Sequence, residues 1–334
     1  MQRIPPHALS AWKETITLCH QAKTVAILGH RNPDGDAIGS AMALAQRTTA
    51  IGCSSSIYFP TDVAPILTPF IDSYSTKLQN KNYDLILCVD SASTQQLGSL
   101  RTMNNDSMSL QQHIITIDHH PTNTGYGTTN ILDPLASSTC ELIAELMLNS
   151  HPESITPAIA TSLLLGIITD TGNFQYEQNS QRTFTIVTAL IEAGGDKNEI
   201  IQTLYRAHSI QKIQYLGVLL QRIEKKGPIL YAWLSNTECI HHNIPEDIAD
   251  LFIGLFTTIQ HPGIFITCKL DYTLKEIRCS LRSKSDERDV SQIATFFGGG
   301  GHKRAAGIKF PLDTKKDAQT QIDEIITSIR TSLT

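Results

Sequence analysis

Two hydrophobic periods alternate along the first two thirds of the chain. Residues 24–29, 83–89 and 113–117 are short, almost uninterrupted apolar runs, the pattern of parallel strands covered on both faces. Residues 54–59 predict a further, more exposed strand. Between the runs, apolar residues recur every three or four positions. A helix is expected over 8–22, and another over 37–50 with Ile38, Met42 and Ala45 at helical spacing and Gly52 as its stop. Ser137, Ser138 and Thr139 offer capping hydroxyls to a helix ending near Asn149, and Thr156 with Pro157 opens one that buries Ile159, Leu163 and Ile167. Phe184, Val187 and Ile191 predict a helix stopped by Gly194 and Gly195. Two more amphipathic patterns follow, one with Ile200, Ile201, Leu204 and Tyr205, the other with Ile213, Leu216, Leu220 and Ile223.

The last third changes character. Residues 228–234, 264–270 and 276–282 predict strands, the last two joined as a hairpin around Asp271, Tyr272 and Thr273. A short helix over 290–297 precedes the run Gly298-Gly299-Gly300-Gly301-His302, then a final strand at Ile308 to Phe310, then a closing helix over 315–333 that buries Ile322, Ile325, Ile326 and Ile329. The expected fold class is α/β. A mostly parallel sheet with helices on both faces fills residues 1–192, a helical linker follows over 193–225, and a smaller α+β domain occupies 226–334.

Composition narrows this picture. With 334 residues, 41% of them hydrophobic and 18% charged, two ordinary domains are expected rather than a disordered or fibrous chain. The net charge of −5 argues against a broad duplex-binding surface, because neutralising phosphates needs an excess of Lys and Arg; a small basic pocket for a short nucleotide is still allowed. Seven scattered cysteines, with no Cys-x-x-Cys pair, fit reduced thiols better than a disulfide framework or thiolate zinc site. Residues 1–10 carry two prolines and no apolar core of a secretory leader. The longest apolar stretch, 158–168, is too short to span a bilayer. A soluble, cytoplasmic protein without a membrane partner is expected.

Chemistry enters at the ends of the apolar runs. The first delivers His30, Asp34 and Asp36, the second Asp90, the third Asp118, His119 and His120, and the helix after Pro157 runs into Asp170. A lone Asp in such a turn is more often a turn former or a helix cap than a ligand. Asp118 alone would serve as the acceptor that fixes a histidine tautomer, and His241-His242, in an expected loop, reads as a solvated surface pair. The combination carries more than any member. Carboxylates with one or two imidazoles and no thiolate suit Mn²⁺ best, with Mg²⁺ preferring fewer nitrogens and Zn²⁺ more histidine or cysteine. Eight such groups exceed the needs of one ion. Two ions bridged by a shared carboxylate would use them, turning a bridging water into hydroxide near neutral pH and neutralising a phosphoryl oxygen.

In order and spacing, His30-Arg31-Asn32-Pro33-Asp34-Gly35-Asp36-Ala37, the Asp90 turn, Asp118-His119-His120 and the Asp170 turn resemble the four motifs of the DHH phosphoesterase superfamily. Gly298 to His302 with Ala305-Ala306-Gly307 resembles the signature of its DHH-associated C-terminal domain. The resemblance covers nearly the whole chain, and its compact two-domain form is similar to the oligoribonuclease and pAp phosphatase branch. It implies a hydrolase with two divalent ions, Mn²⁺ preferred and Mg²⁺ allowed. Its substrates would be short single-stranded RNA, dinucleotides such as pApA, and 3′-phosphoadenosine 5′-phosphate (pAp). By the same resemblance His30 and Asp34 bind one ion, Asp36, His119 and Asp170 the other, and Asp90 bridges them. His120 then lies beside the substrate phosphate as an electrostatic stabiliser or proton donor, and Asp118 supports it.

Four glycines by themselves only permit a tight loop with positive φ, and Lys303 and Arg304 read as solvated. The resemblance goes further, implying that Arg282, Ser283, Gly299, Gly300, Gly301 and His302 grip the substrate's terminal phosphate, across a cleft from the metals. The pattern leaves room for a homodimer. Two other functions fit parts of it. A pyrophosphatase or polyphosphatase would share the first-domain motifs without the glycine loop, and a catalytically silent nucleotide sensor would be expected to lack a ligand.

Overall fold

A computed structural model describes residues 4–78, 83–98, 113–175, 180–244, 248–261, 263–285 and 287–333, with the side chains of Asp250 and His302 outside the description. Two compact units divide the chain, Met1–Ala207 and His208–Thr334.

The first unit is built on a five-stranded sheet of β1 (Thr24–Leu28), β2 (Ser54–Tyr58), β3 (Leu85–Val89), β4 (His113–Asp118) and β5 (Thr129–Leu132). The order is β2-β1-β3-β4-β5 and every pairing is parallel. The apolar runs become β1, β3 and β4, while residues 54–59 become the edge strand β2. β5 had no signal in the sequence: only two of its four residues are apolar. Around the sheet lie α1 (Pro6–Gln21), α2 (Gly35–Ala50), α3 (Thr139–Ser150), α4 (Pro157–Asp170), α5 (Gln181–Glu192) and α6 (Lys197–Tyr205).

Alternation along the strands divides the core. Val25, Ile27, Leu85, Leu87, Ile115 and Ile117 join the helices in one large cluster. Ala26, Leu28, Ile86 and Cys88 face the other way, into a smaller cluster with Tyr58 and Tyr83. Ser138 and Thr156 cap α3 and α4 through their hydroxyls, as their positions predict. On α5 the buried apolar residues are Ile186, Val187 and Leu190, while Phe184 and Ile191, which mark the helix in the sequence, are exposed.

The order of strands matters for function. β1 has β2 on one side and β3 on the other, so the chain reverses its direction of winding between β1 and β3. Open α/β sheets bind ligands in the crevice outside the C-terminal strand ends at such a switch point.

The second unit holds a mixed six-stranded sheet of β6 (Glu224–Lys226), β7 (Ile229–Ser235), β8 (Ile264–Asp271), β9 (Glu276–Ser283), β10 (Gly300–His302) and β11 (Ala305–Pro311), in the order β10-β11-β9-β8-β7-β6. The hairpin around Asp271 joins β8 and β9. The glycine run, expected as a loop, ends in a strand: Gly300 pairs with Gly307 and His302 with Ala305. α10 (Val290–Phe296) and α11 (Ala318–Thr331) cover one face, with all four expected isoleucines of α11 buried. α7 (Ile210–Gln221), α8 (Asn236–His241) and α9 (Ile248–Phe256) accompany the other. On α7 the buried residues include Tyr215, Leu216 and Leu219, whereas Ile213 and Leu220 are exposed. His241 ends α8 and His242 caps it, both exposed, so the expected loop is a helix end.

Among the described residues no helix is long and apolar enough to cross a membrane.

Candidate metal centre

The residues that follow β1, β3 and β4 converge at the switch point. β1 leaves through Gly29, where a Cβ would lie 2.4 Å from the Phe59 ring, and the turn passes Asn32 at φ 54°. Asp34 then caps α2, its Oδ1 accepting the Asp36 and Ala37 N–H groups at 3.0 Å each. The same oxygen stands 3.7 Å from His30 Nε2. Cap and candidate ligand are therefore one side chain.

Three imidazoles are anchored alike. His30 Nδ1 donates to the Arg31 carbonyl at 2.8 Å, His119 Nδ1 to the Ala136 carbonyl at 3.3 Å, and His120 Nδ1 to Asp118 Oδ1 at 2.7 Å. A proton placed on Nδ1 in this way leaves the Nε2 lone pair facing outward, as metal-binding histidines require. His30 Nε2 lies 3.3 Å from Asp90 Oδ2. His119 Nε2 lies 3.4 Å from Asp170, 3.8 Å from Asp90 Oδ1 and 4.0 Å from Asp36. Two donor sets result, His30 with Asp34 and Asp90, and Asp36 with His119 and Asp170, the ligand atoms of each lying within 4.8 Å of one another. Asp90 also groups with His119 and His120.

Asp90 stands between the sets with one oxygen toward each imidazole. Its backbone is left-handed, φ 50°, a conformation a non-glycine residue keeps only where its surroundings enforce it. Its N–H donates to the Ile117 carbonyl at 3.0 Å, and its Oδ1 accepts the Thr139 hydroxyl at 3.2 Å. Asp36 is held by the start of α3: the N–H groups of Thr139 and Cys140 donate to its two oxygens at 2.7 and 2.9 Å. Arg182 on α5 fixes α3 in turn, pairing with Glu141 at 3.2 Å and with Asp133 at 2.7 Å. Room for the Asp36 carboxylate comes from Gly166 on α4, where a Cβ would lie 2.4 Å from Asp36 Oδ1.

The electrostatics ask for a cation. Burial and then the carboxylates of Asp90 and Asp34 push Asp170 up to about 8, and burial with Asp90, Asp170 and Asp34 pushes Asp36 up as well. Burial works against a charged His30, yet Asp34 and Asp90 outweigh it and raise its pKa to about 11. Carboxylates crowded in a buried site repel until a positive charge neutralises them. Carboxylates with imidazoles and no thiolate are the donors of a Mn²⁺ or Mg²⁺ site, so these residues fit a divalent metal.

His120 differs from the other two. Its hydrogen bond to Asp118 outweighs burial and raises it to about 9, giving a cation at neutral pH. Asp118 is committed to hydrogen bonds within the turn. Besides His120 it accepts the His119 N–H at 2.9 Å and the Asn123 amide at 2.7 Å. Thr139 and Asn123 went unrecognised in the sequence. Thr139 has the signature of a helix start, and nothing marks Asn123 except its nearness to the Asp118 triplet.

In the second unit, register places Arg282, Ala305 and His302 in one cross-strand row, with the His302 side chain outside the described residues. Arg282 and Ser283 diverge, as neighbours on a strand must. Ser283 is buried and donates to the Ser285 carbonyl at 3.0 Å, while Arg282 is on the opposite face. Gly299 is packed against the Gly307 carbonyl, and Gly301 takes φ 145°.

Residues 24–167 match the model of the DHH family, N-terminal domain. The chain is 26% identical over 318 residues to the bifunctional oligoribonuclease and PAP phosphatase NrnA of Thermus thermophilus, covering 93% of this chain and 90% of that protein. It is 25% identical over 307 residues to the protein of the same name from Mycoplasma genitalium, covering 88% and 91%. Among solved structures, an exopolyphosphatase-related protein from Bacteroides fragilis superposes with a TM-score of 0.85 at 21% identity, over 99% of this chain and 98% of that one. That likeness bears on the fold.

Proposed function

We propose, from the match of residues 24–167 to the DHH family, N-terminal domain, that the protein is a divalent-metal phosphoesterase that hydrolyses short oligoribonucleotides and pAp. The observation that carries this is the pair of donor sets around Asp90, with the His120–Asp118 pair beside them. The names of the relatives point the same way.

His30, Asp34 and Asp90 would hold one ion, and Asp36, His119, Asp170 and Asp90 a second, with Mn²⁺ preferred over Mg²⁺. Bound there, the ions would neutralise phosphoryl oxygens and acidify a water toward neutral pH. The chain's own part is positional and protonic. The Nδ1 anchors hold His30 and His119 with Nε2 free for a metal, and Asp118 keeps His120 cationic, with Nε2 placed to donate to a phosphate oxygen or to the departing ester oxygen. Arg282, Ser283, Gly299, Gly300, Gly301 and His302 form the grip for the substrate's terminal phosphate; for the buried Ser283 this means holding the strand end rather than touching substrate. The domain limits 1–192, 193–225 and 226–334 fit this division of labour, as does a cytoplasmic setting in which all seven cysteines are free thiols.

The test is an assay of pAp, pApA and RNA chains of rising length with Mn²⁺ or Mg²⁺. Release of AMP from pAp and from pApA is expected, with Asp90→Ala reducing turnover at least a thousandfold, on the order of the loss of a main electrostatic contribution. Faster hydrolysis of pyrophosphate than of pApA would overturn the proposal in favour of a pyrophosphatase.

A further inference from the structure

The sheet of the second unit has one face whose outer half is left bare. On β9, Ile277, Cys279 and Leu281 are buried in the cluster under α10 and α11, so Arg278, Ser280 and Arg282 project from the opposite face. On β11, Ala306 and Ile308 are buried, so Ala305, Gly307 and Lys309 project with them. On β8 the same alternation puts Phe265, Thr267, Lys269 and Asp271 on that face. Among the described residues, its β7 and β8 side is covered: Leu230, Ala232, Leu234 and Phe265 pack with Leu216, Leu219 and Phe252.

Register turns these positions into rows. Lys269, Arg278 and Lys309 lie directly opposite one another across three strands, then Thr267, Ser280 and Gly307, then Phe265, Arg282 and Ala305. Like charges facing each other across a sheet are destabilising. Glu276 relieves part of this, pairing with Arg278 and, at 3.4 Å, with Lys309. Four cations, Lys269, Arg278, Arg282 and Lys309, and two carboxylates, Glu276 and Asp271, project from this face, on a chain whose formal charge is −5.

Among the described residues, nothing fills the floor between the charged rows. A Cβ on Gly307 would meet nothing nearer than 3.9 Å, one on Gly300 beside it would meet nothing within 4 Å, and neither has a positive φ. Gly299 and Gly301 differ, since packing or backbone demands them. Close approach by a ligand or another backbone is one established reason for such a strand glycine.

We propose that this face binds the sugar–phosphate chain of a single-stranded oligonucleotide, running from Arg282 over Ser280 and Gly307 to the Lys269–Arg278–Lys309 row. Four strand residues separate the two ends, about 14 Å at the antiparallel rise. A dinucleotide ends with its terminal phosphate at Arg282, whereas in a longer chain that phosphate is internal and the nucleotides beyond it reach the Lys269–Arg278–Lys309 row. The inference rests on the oligoribonuclease reading above and extends it from which bond is cut to how chain length is sensed.

The test uses full-length protein stripped of metal, with fluorescent hexa-adenylate and di-adenylate as probes in anisotropy titrations over a range of salt. Wild type is expected to bind the hexamer more tightly than the dimer. Arg278→Gln with Lys309→Gln should lower the slope of log affinity against log salt by about 1.4, or about 25-fold in affinity at 0.1 M salt, for the hexamer only. Glu276→Gln should tighten hexamer binding, a gain that misfolding cannot imitate. Gly307→Val should weaken it while the melting temperature holds. Lys13→Gln with Lys23→Gln, exposed cations of the first unit, controls for net charge and should change nothing. Equal hexamer binding by wild type and the Arg278/Lys309 variant, or equal binding of the two probes by wild type, overturns the inference. Failure of wild type with metal to cleave pAp or pApA instead removes the oligoribonuclease reading, and the anisotropy data are independent of it.

Discussion

Thr139 shows how much of a site is carried by residues that touch no substrate. At the first position of α3, one short side chain steadies Asp90, while the N–H of the same residue steadies Asp36. Removing only the hydroxyl, by Thr139→Val, should weaken Mn²⁺ binding about tenfold or more, as loss of a partner behind a ligand commonly does. Thr139→Ser should restore it, and calorimetric titration of metal into both variants decides. An unchanged affinity in the valine variant would leave Asp90 held by its turn alone. The ligands themselves were legible because each ends an apolar run, which sequence spacing displays directly. Thr139 was not, because a hydroxyl at a helix start has a sufficient local explanation, and its second role depends on Asp90 arriving from 49 residues away.

At the level of elements, strands were read more securely than helix faces. β1, β3, β4, β8 and β9 are continuous or strictly alternating. On α5 and α7, however, apolar residues fill more than one stripe, so Phe184, Ile191, Ile213 and Leu220 satisfy the period yet end outside. Periodicity fixes that a helix exists; which stripe is buried depends on the neighbour it meets. The same dependence on neighbours gives α8 its pH sensitivity. Glu238 closes the capping box with Ser235 and takes two hydrogen bonds from Arg222, at 2.6 and 3.1 Å. Burial pushes its carboxyl up, but Arg222 and Ser235 outweigh that and hold it below the usual range. A depressed carboxylate pKa contributes stability that is present above the unfolded value, about 4.3, and lost as pH falls through the folded one. Glu238→Gln should therefore cost about 1 kcal/mol at pH 7, with the difference from wild type shrinking below about pH 4. Urea unfolding followed from pH 3 to 7 measures it.

For the whole molecule, the two units have separate cores and separate chemistry. All candidate metal ligands lie between His30 and Asp170, within the first unit. Each unit expressed alone is expected to unfold cooperatively, and Mn²⁺ at a hundred times its dissociation constant should stabilise residues 1–207 by about 2.7 kcal/mol. That corresponds to about 5–10 °C in melting temperature, whereas residues 208–334 should not respond; scanning calorimetry with and without metal separates the two. A metal shift in the second fragment would locate a ligand outside the ones named here. The α/β class was legible from the alternation of runs and periods. Strand order was not, because nothing in a single apolar run says which neighbour it will pair with, and it is the reversal between β1 and β3 that brings Asp90 to His30.

Heredity rewrites side chains and leaves peptide groups alone. Asp36 is fastened at both oxygens by main-chain N–H groups, so changes of codon at positions 139 and 140 alter what projects there without removing the donors. Proline is the exception, since it brings no N–H. The most deeply buried of the candidate ligands is thus the one whose mooring is best sheltered from drift, and lineages that keep the carboxylate inherit its placement almost for free.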